Sequence, residues 1–333
     1  MSQRQCDFSS TTYTQTSAGQ ALYRMIRYTD KKDISLTDVM GYTSWAFRIN
    51  IHARTVNIAG PYASLSWGDV FRQGMINLGF TCKSIGEPNL TPPTPRQLQE
   101  ALLFVQSSID TGIPVMAWDL FVPEFGIIYG YDDSRQLLNC KDTAEDGLLP
   151  YHKLGRGRIG ELFVLGVTDT FEVDEIAALR GALDMVLDHA FNHLPRHDEE
   201  PYRNGLAGYE AWIQAFRSGS VEVVGNAYNA LVVSDAREYA YRFLAGLSEK
   251  SFNELPVTPE ISRLALAAAE HYREVARHLA EIRTLFPFPQ GGTPNDPETA
   301  GMAITLLEQA LAAEERGIQQ LQAMHRVLEQ YIS

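Results

Sequence analysis

Near residue 170 of the 333-residue chain, the spacing of apolar residues changes from that of strands to that of helices, and this change constrains the fold more than any other feature. Between residues 113 and 167, short apolar runs alternate with turn formers, as in antiparallel strands joined by hairpins. From Asp174 onward, apolar residues recur every three to four positions, which is the period of amphipathic helices. We therefore predict an α+β domain over residues 1–170 and an all-helical domain over residues 171–333.

Within the first part, helices precede strands. Ser17 to Tyr28 has a helical apolar stripe with Ser17 as its N-cap, and Thr94-Pro95-Arg96-Gln97 has the residues of a capping box. Glu124 stands at the entrance of an apolar run, Phe125 to Tyr131, which ends in the turn formers Asp132-Asp133-Ser134. Helices followed by a strand meander indicate helices packed on an antiparallel sheet.

Composition excludes several classes of function. The hydrophobic fraction of 45% is enough for a buried core, and the net charge of −13 repels phosphate backbones, so we predict no nucleic-acid partner. Runs of 18 apolar residues are absent, and so is an apolar secretory signal, so no membrane association is expected. Three cysteines (Cys6, Cys82 and Cys140) favour reduced thiols and a cytoplasmic location. Without a Walker A or Rossmann motif, we predict no cofactor.

Longer motifs carry a resemblance to a known family. They are I-P-V-M-A-W-D-L (113–120), E-F-G-I-I-Y-G-Y-D-D (124–133), M-G-Y-T-S-W-A-F-R-I (40–49), G-L-A-G-Y-E-A-W-I (205–213), S-D-A-R-E-Y-A (234–240) and L-F-P-F-P (285–289). The chain resembles papain-like domains of the peptidase C39 kind. More narrowly, it resembles bacterial proteins related to the N-terminal domain of the butirosin-biosynthesis acyltransferase. The resemblance implies a papain-like α+β fold and a cysteine thioester mechanism that moves an acyl group to an amine.

The residues that such a mechanism needs are changed. The resemblance places a cysteine at the start of the first helix, where this chain has Thr16, Ser17 and Ala18, and a histidine where it has Glu124. Asp142 alone keeps the expected residue type. A serine hydroxyl needs a base to act as a nucleophile, and a carboxylate with a pKa of about 4.3 is a poor base unless burial raises that pKa. The cysteine chemistry is therefore not expected in this chain.

These changes suggest that Glu124 is a fixed carboxylate in a vestigial catalytic cleft, where it binds an amine, a hydroxyl or a metal. The cleft positions are Ser17, Glu124 and Asp142, and the predicted ligand-contacting residues are Thr16, Trp45, Arg48, Trp118, Asp119 and Tyr129. A structural interpretation stays open for each of them. Tryptophans in such runs are usually core residues, and Arg48 would then pair with Glu124 or Asp119.

Three hypotheses about function remain open. The favoured hypothesis is a pseudoenzyme that binds a small molecule or peptide, because both catalytic positions are changed together. The second is an acyltransferase or amidohydrolase that uses Ser17 or Thr16, with Glu124 as base and Asp142 in support. The third is an interaction protein that works through its helical half.

Two further patterns have structural interpretations. His189 and His193 are four residues apart on a predicted helix and His197 follows, but the glutamate of a zinc motif is missing, so we predict no metal site. Leu306, Leu307, Ala310 and Leu311 form an apolar stripe on the last helix. Bundle core is the simplest interpretation of this stripe, and a homodimer seam is the alternative.

Overall fold

The computed structural model describes residues 3–5, for their backbone, and residues 12–63, 66–191, 201–252 and 256–332. In this part of the chain the protein is α+β, with α-helices and antiparallel strands, as the sequence predicts. The strands, numbered along the chain, are β1 (Gln3–Gln5), β2 (Asn50–His52), β3 (Phe80–Ile85), β4 (Val115–Trp118), β5 (Phe125–Asp132), β6 (Leu137–Lys141), β7 (Asp146–Pro150), β8 (Val164–Thr170) and β9 (Tyr202–Asn204). The helices are α1 (Ser17–Ile26), α2 (Leu36–Tyr42), α3 (Trp67–Asn77), α4 (Pro95–Asp110), α5 (Glu175–Phe191), α6 (Gly205–Ser218), α7 (Val223–Glu249), α8 (Thr258–Leu285) and α9 (Pro297–Ile332).

The chain forms two compact units. Unit 1 contains residues 1–39 and 65–173, and unit 2 contains residues 40–64 and 174–333. Residues 40–64, which the sequence analysis placed in the first domain, thus belong to the helical unit. The reason is visible in their pairing, because β2 forms an antiparallel ladder with β9 and also packs against α6. A single boundary near residue 170 does not describe this arrangement.

Unit 1 is built on an antiparallel sheet in which seven strands are described. The strand order is β3-β8-β4-β5-β6-β7, and β1 pairs with β5 outside this path. The first half of β5 pairs with β4, while Gly130, Tyr131 and Asp132 of its second half pair with β1. Strand β6 covers the other edge of β5, so β5 is a central strand. Its continuous burial from Phe125 to Tyr131 follows from this position.

The two faces of this sheet have different cores. Helix α4 packs on one face, where its residues Ala101 and Val105 belong to the same core as Ile128 and Cys140. The capping box at Thr94 that starts α4 is present, as predicted. Trp118 and Phe125 belong to an aromatic cluster with residues of α3. Helix α1 packs against β5 and β4 and is almost completely buried.

Unit 2 consists of the long helices α5 to α9 and the short β2–β9 ladder among its described residues. Its core contains Trp212 from α6, Leu279 from α8 and Leu307 from α9. A charged pair also lies inside the core: Arg237 of α7 is 0% exposed and Glu314 of α9 is 3% exposed. None of the described helices combines the length and apolar character needed to cross a bilayer.

Candidate functional site

The start of α1 and the start of β5 meet in unit 1. Ser17 is the first residue of α1, and Glu124 immediately precedes β5. Ser17 Oγ donates a hydrogen bond of 2.5 Å to Glu124 Oε2, and it accepts the Phe125 N–H at 3.1 Å. Ser17 is 1% exposed, whereas Glu124 is partly exposed. The hydroxyl therefore fixes one carboxylate oxygen at the N-terminal end of the helix.

The field of α1 favours a negative charge at this place. The first turn of α1 contains no acidic residue, so its N-terminal partial positive charge is not balanced within the helix. The Glu124 carboxylate approaches from β5 and supplies the opposite charge at Ser17. The two residues that bring this charge to the start of the helix are 107 positions apart in the sequence.

The segment before α1 is held by its own polar side chains. The Thr14 N–H donates to Gln20 Oε1 at 3.0 Å, and the Thr16 N–H donates to Thr14 Oγ1 at 3.1 Å. Thr16 is buried, and its Oγ1 has no hydrogen-bond partner in the part of the chain that the structure describes. Gln20 therefore helps to hold the segment before α1. The sequence analysis did not select Gln20, although a side chain one turn into a helix can reach the residues that precede the helix.

Asp142 fixes the loop that carries Glu124. Its Oδ2 accepts the N–H groups of Phe121 and Val122, at 2.9 and 3.0 Å, and its Oδ1 accepts those of Ala144 and Glu145, at 2.8 and 3.0 Å. This carboxylate is thus occupied by four backbone donors on two loops. Asp142 therefore holds the backbone next to Glu124. The second hypothesis gave Asp142 a different role, in which it supports Glu124 as a catalytic base.

Asp119 begins the same loop, and its side chain is buried and bonded to backbone groups of the protein. It is 2% exposed, and its Oδ2 accepts the N–H groups of Ile159 and Gly160 at 2.7 and 3.3 Å. Its backbone is in the left-handed region, with φ of 54°, and its N–H donates to the Glu124 carbonyl oxygen at 3.1 Å. This last bond closes the β4–β5 connection over the residues between Asp119 and Glu124.

Trp118 lies beside the site, and Tyr129 does not. The Trp118 ring lies 4.8 Å from the Phe125 ring and 4.7 Å from the Trp67 ring, so it is part of the buried aromatic cluster. Tyr129 is four residues beyond Phe125 on β5, which places it about 13 Å from Phe125 at the usual rise per residue. Its hydroxyl donates to Asp146 Oδ1 at 2.6 Å. Burial and the Asp146 carboxylate raise the pKa of Tyr129.

Trp45 and Arg48 belong to unit 2. Trp45 is 3% exposed, and its ring lies 5.9 Å from the ring of Tyr62. The Arg48 guanidinium lies over the Trp45 ring at 5.4 Å, and its Nη1 is 3.4 Å from His189 Nδ1. The structure therefore places the contacts of both residues within the helical unit. Trp45 is a buried core residue, which is the structural interpretation given above, whereas His189 was not an expected partner of Arg48.

Both nitrogen atoms of the His189 ring lie next to other protein groups. Its Nε2 lies 2.9 Å from the Ile49 carbonyl oxygen, and its Nδ1 faces Arg48. His193 and His197 lie outside the described residues. Among the described residues, no three His, Cys, Asp or Glu side chains are grouped as metal ligands.

Sequence analysis also missed the charged network of unit 2. Arg237 Nη2 is 2.7 Å from Glu314 Oε1, and the Tyr209 hydroxyl donates to Glu314 Oε2. Arg237 Nη1 donates to the carbonyl oxygens of Ala46 and Arg48 at 3.1 Å each. The motifs S-D-A-R-E-Y-A and G-L-A-G-Y-E-A-W-I contain Arg237 and Tyr209, but a charge inside a helical stripe does not reveal its partner.

Neither a scan against protein-family models nor a search of curated proteins gives a match for this chain.

Proposed function

We propose that the protein is a non-catalytic relative of papain-like enzymes that binds an amine-bearing small molecule or peptide at Glu124. The hydrogen bond between Ser17 Oγ and Glu124 Oε2 carries this proposal. It joins the start of the first helix to the start of a central strand, the two places to which the resemblance assigns a nucleophile and its base. Helices on an antiparallel sheet support the papain-like part of the proposal.

The environment of Ser17 argues against catalysis by its hydroxyl. The side chain is 1% exposed, so a substrate carbonyl has no direct approach to Oγ. Its proton is donated to Glu124, and one lone pair accepts the Phe125 N–H. A serine used in this way stabilises the geometry of Glu124.

Glu124 has the properties of a ligand-binding carboxylate. One of its oxygens is held by Ser17, and its backbone is held by the Asp119 N–H and by the loop that Asp142 fixes. The side chain is partly exposed. A preorganised carboxylate binds a protonated amine through charge-assisted hydrogen bonds without paying for its own ordering.

An acyltransferase or amidohydrolase is the second candidate, because a contact of 2.5 Å between hydroxyl and carboxylate is also the distance between a nucleophile and its base. The two candidates differ in what they bind. An amine stabilises the pseudoenzyme without turnover, whereas an acyl thioester would acylate Ser17 in the enzyme.

A thermal-shift screen tests the proposal, using purified protein with amines, amino acids, acyl thioesters and divalent metals. We expect amine-bearing compounds to raise the Tm of the wild type, since a ligand that binds only the folded state stabilises it. Glu124→Gln should abolish this rise, and Glu145→Gln, which removes an exposed charge from the same unit, should retain it. A Tm rise that persists in Glu124→Gln, or a stable acyl adduct on Ser17, would contradict the proposal.

Restoring the cysteine and histidine tests the assignment of the two positions. In the double variant Ser17→Cys/Glu124→His, we expect thiolate absorbance at 240 nm below pH 7, because a neighbouring imidazolium lowers a thiol pKa. The background is low, since burial raises the pKa of Cys82 to about 12 and that of Cys140 well above its usual value. Cys6→Ser removes the third thiol. Equal titration of the double variant and Ser17→Cys would show that positions 17 and 124 do not form a dyad.

A further inference from the structure

The backbone around Arg48 is fixed from two sides within unit 2. Arg237 Nη1 donates to the carbonyl oxygens of Ala46 and Arg48, and Arg237 is itself paired with Glu314 in the core. The His189 ring contacts the backbone of Ile49. The side chain of Arg48 therefore projects from a segment that is held in one conformation.

The guanidinium of Arg48 makes contacts with Trp45 and His189, but among the described residues one of its N–H donors has no hydrogen-bond partner. Its Cζ lies over the Trp45 ring, 5.4 Å from the ring centroid, and Nη1 is 3.4 Å from His189 Nδ1. Its Nε is buried and has no hydrogen-bond partner among the residues that the structure describes. The side chain as a whole is partly exposed. A buried N–H without a partner is costly, so the edge formed by Nε and Nη2 is suited to an external acceptor.

The charge of Arg48 is poorly balanced by its surroundings. His189 is neutral, because burial and the Arg48 charge hold its pKa well below the usual value. Its Nε2 lies 2.9 Å from the Ile49 carbonyl oxygen and 3.1 Å from the Ile49 backbone nitrogen, so the ring contacts both polar backbone groups of Ile49. Burial lowers the pKa of Arg48 to about 10, and the charge of Asp188 acts against this shift. Arg48 thus remains a cation at neutral pH in a partly desolvated place.

We propose that Arg48 binds a monocarboxylate ligand through its Nε–Nη2 edge, with the carboxylate lying beside the Trp45 ring. The fork of a guanidinium matches the two oxygens of a carboxylate, and both bonds are charge-assisted. Asp188 already places one negative charge near the guanidinium, so it repels a singly charged carboxylate less than a phosphate dianion, and a carboxylate fits better than phosphate.

This inference goes beyond the proposed function and does not rest on it. The Glu124 site takes a cation and uses residues of unit 1, whereas the Arg48 site takes an anion and uses residues of unit 2. Glu124→Gln should therefore leave anion binding at Arg48 unchanged, so failure of either proposal is recognised separately.

The test is a titration of ¹⁵N-labelled full-length protein with acetate, at constant ionic strength maintained with chloride. The Nε–Hε resonance of Arg48, assigned by its loss in Arg48→Lys, reports binding directly in the wild-type protein. We expect this resonance to shift with a saturable dependence on acetate. Arg48→Lys, monitored through the Trp45 indole N–H, should weaken binding at least tenfold, because the charge remains and the fork is lost.

Arg242 provides a matched control. Its guanidinium also lies over an aromatic ring, that of Tyr239 at 5.5 Å, but it already pairs with Glu238 at 2.9 Å. Arg242→Lys should change acetate affinity less than twofold. An Arg48 resonance that is insensitive to acetate, equal affinity in Arg48→Lys, or tighter binding of inorganic phosphate in a parallel titration would each overturn the proposal.

Discussion

The two units hold their buried charges by different means. In unit 1, buried carboxylates accept backbone N–H groups: Asp142 accepts four, and Glu161 accepts those of Asn89 and Leu90. In unit 2, the buried carboxylate of Glu314 pairs with the guanidinium of Arg237. The difference follows from the backbone, because loops between strands have free N–H groups, whereas N–H groups inside helices are already bonded.

This difference separates local from global effects of mutation. A carboxylate that caps a loop organises the few residues around it. A buried ion pair connects α7 and α9 and, through Arg237, the segment at residues 46–48. We therefore expect charge removal to cost most stability in unit 2 and to alter the candidate site most in unit 1.

The largest effect is expected for Glu314→Ala. Removing one partner of a buried ion pair leaves an uncompensated charge, which typically costs about 3–5 kcal/mol of unfolding free energy. Urea unfolding followed by tryptophan fluorescence measures this, since Trp45 and Trp212 report on unit 2. Glu308→Ala removes an exposed partner of Arg217 from the same helix and should cost about 0–1 kcal/mol. Equal losses in the two variants would show that burial does not increase the contribution of the Arg237–Glu314 pair.

The double variant Arg237→Met/Glu314→Leu sharpens this result. Replacing a whole buried pair by apolar residues is often neutral, so we expect a smaller loss than in Glu314→Ala. The same urea experiment measures it. A larger loss would mean that the bonds of Arg237 to the Ala46 and Arg48 carbonyl oxygens dominate its contribution.

A smaller but more local effect is expected for Asp142→Ala. Four backbone donors lose a charged acceptor, which costs about 1.5–3 kcal/mol after solvent replaces part of the bonding. Hydrogen exchange should accelerate at Phe121, Val122, Ala144 and Glu145 while unit 2 stays protected. The exposed neighbour variant Glu145→Gln serves as the control. Uniform acceleration across both units would show that Asp142 is not a local cap.

Ser17→Ala and Thr16→Val form a pair with opposite expectations. Ser17→Ala removes the bonds to Glu124 and Phe125 and should cost about 1–2 kcal/mol. Thr16→Val keeps the shape of a buried side chain whose Oγ1 has no partner among the described residues, so it should be neutral or stabilising. Chemical denaturation of the two variants in parallel tests this. A greater loss in Thr16→Val would contradict the assigned contacts.

A pH-dependent effect is expected in unit 2. The pKa of His189 is depressed in the folded state, so the unfolded chain binds a proton below about pH 6.5 while the folded chain does not. Stability should therefore fall as pH decreases from 7 to 5, by at most about 1.4 kcal/mol per pH unit from this residue. In His189→Gln, stability should depend less steeply on pH than in the wild type. In His152→Gln, which changes an exposed residue, the pH dependence should equal that of the wild type. Parallel curves for all three proteins would exclude this role of His189.

The sequence alone determined the α+β class, the strand meander with its hairpin and the capping box at Thr94, because these depend on residues close together in the chain. Motifs also led to Ser17 and Glu124, which do meet. Only the tertiary structure decided the partners of the other predicted residues. Asp142 bonds to backbone, Tyr129 to Asp146, and Arg48 to His189, 141 positions away. Periodicity shows which face of an element is buried, but a polar side chain takes the partner that the fold places beside it.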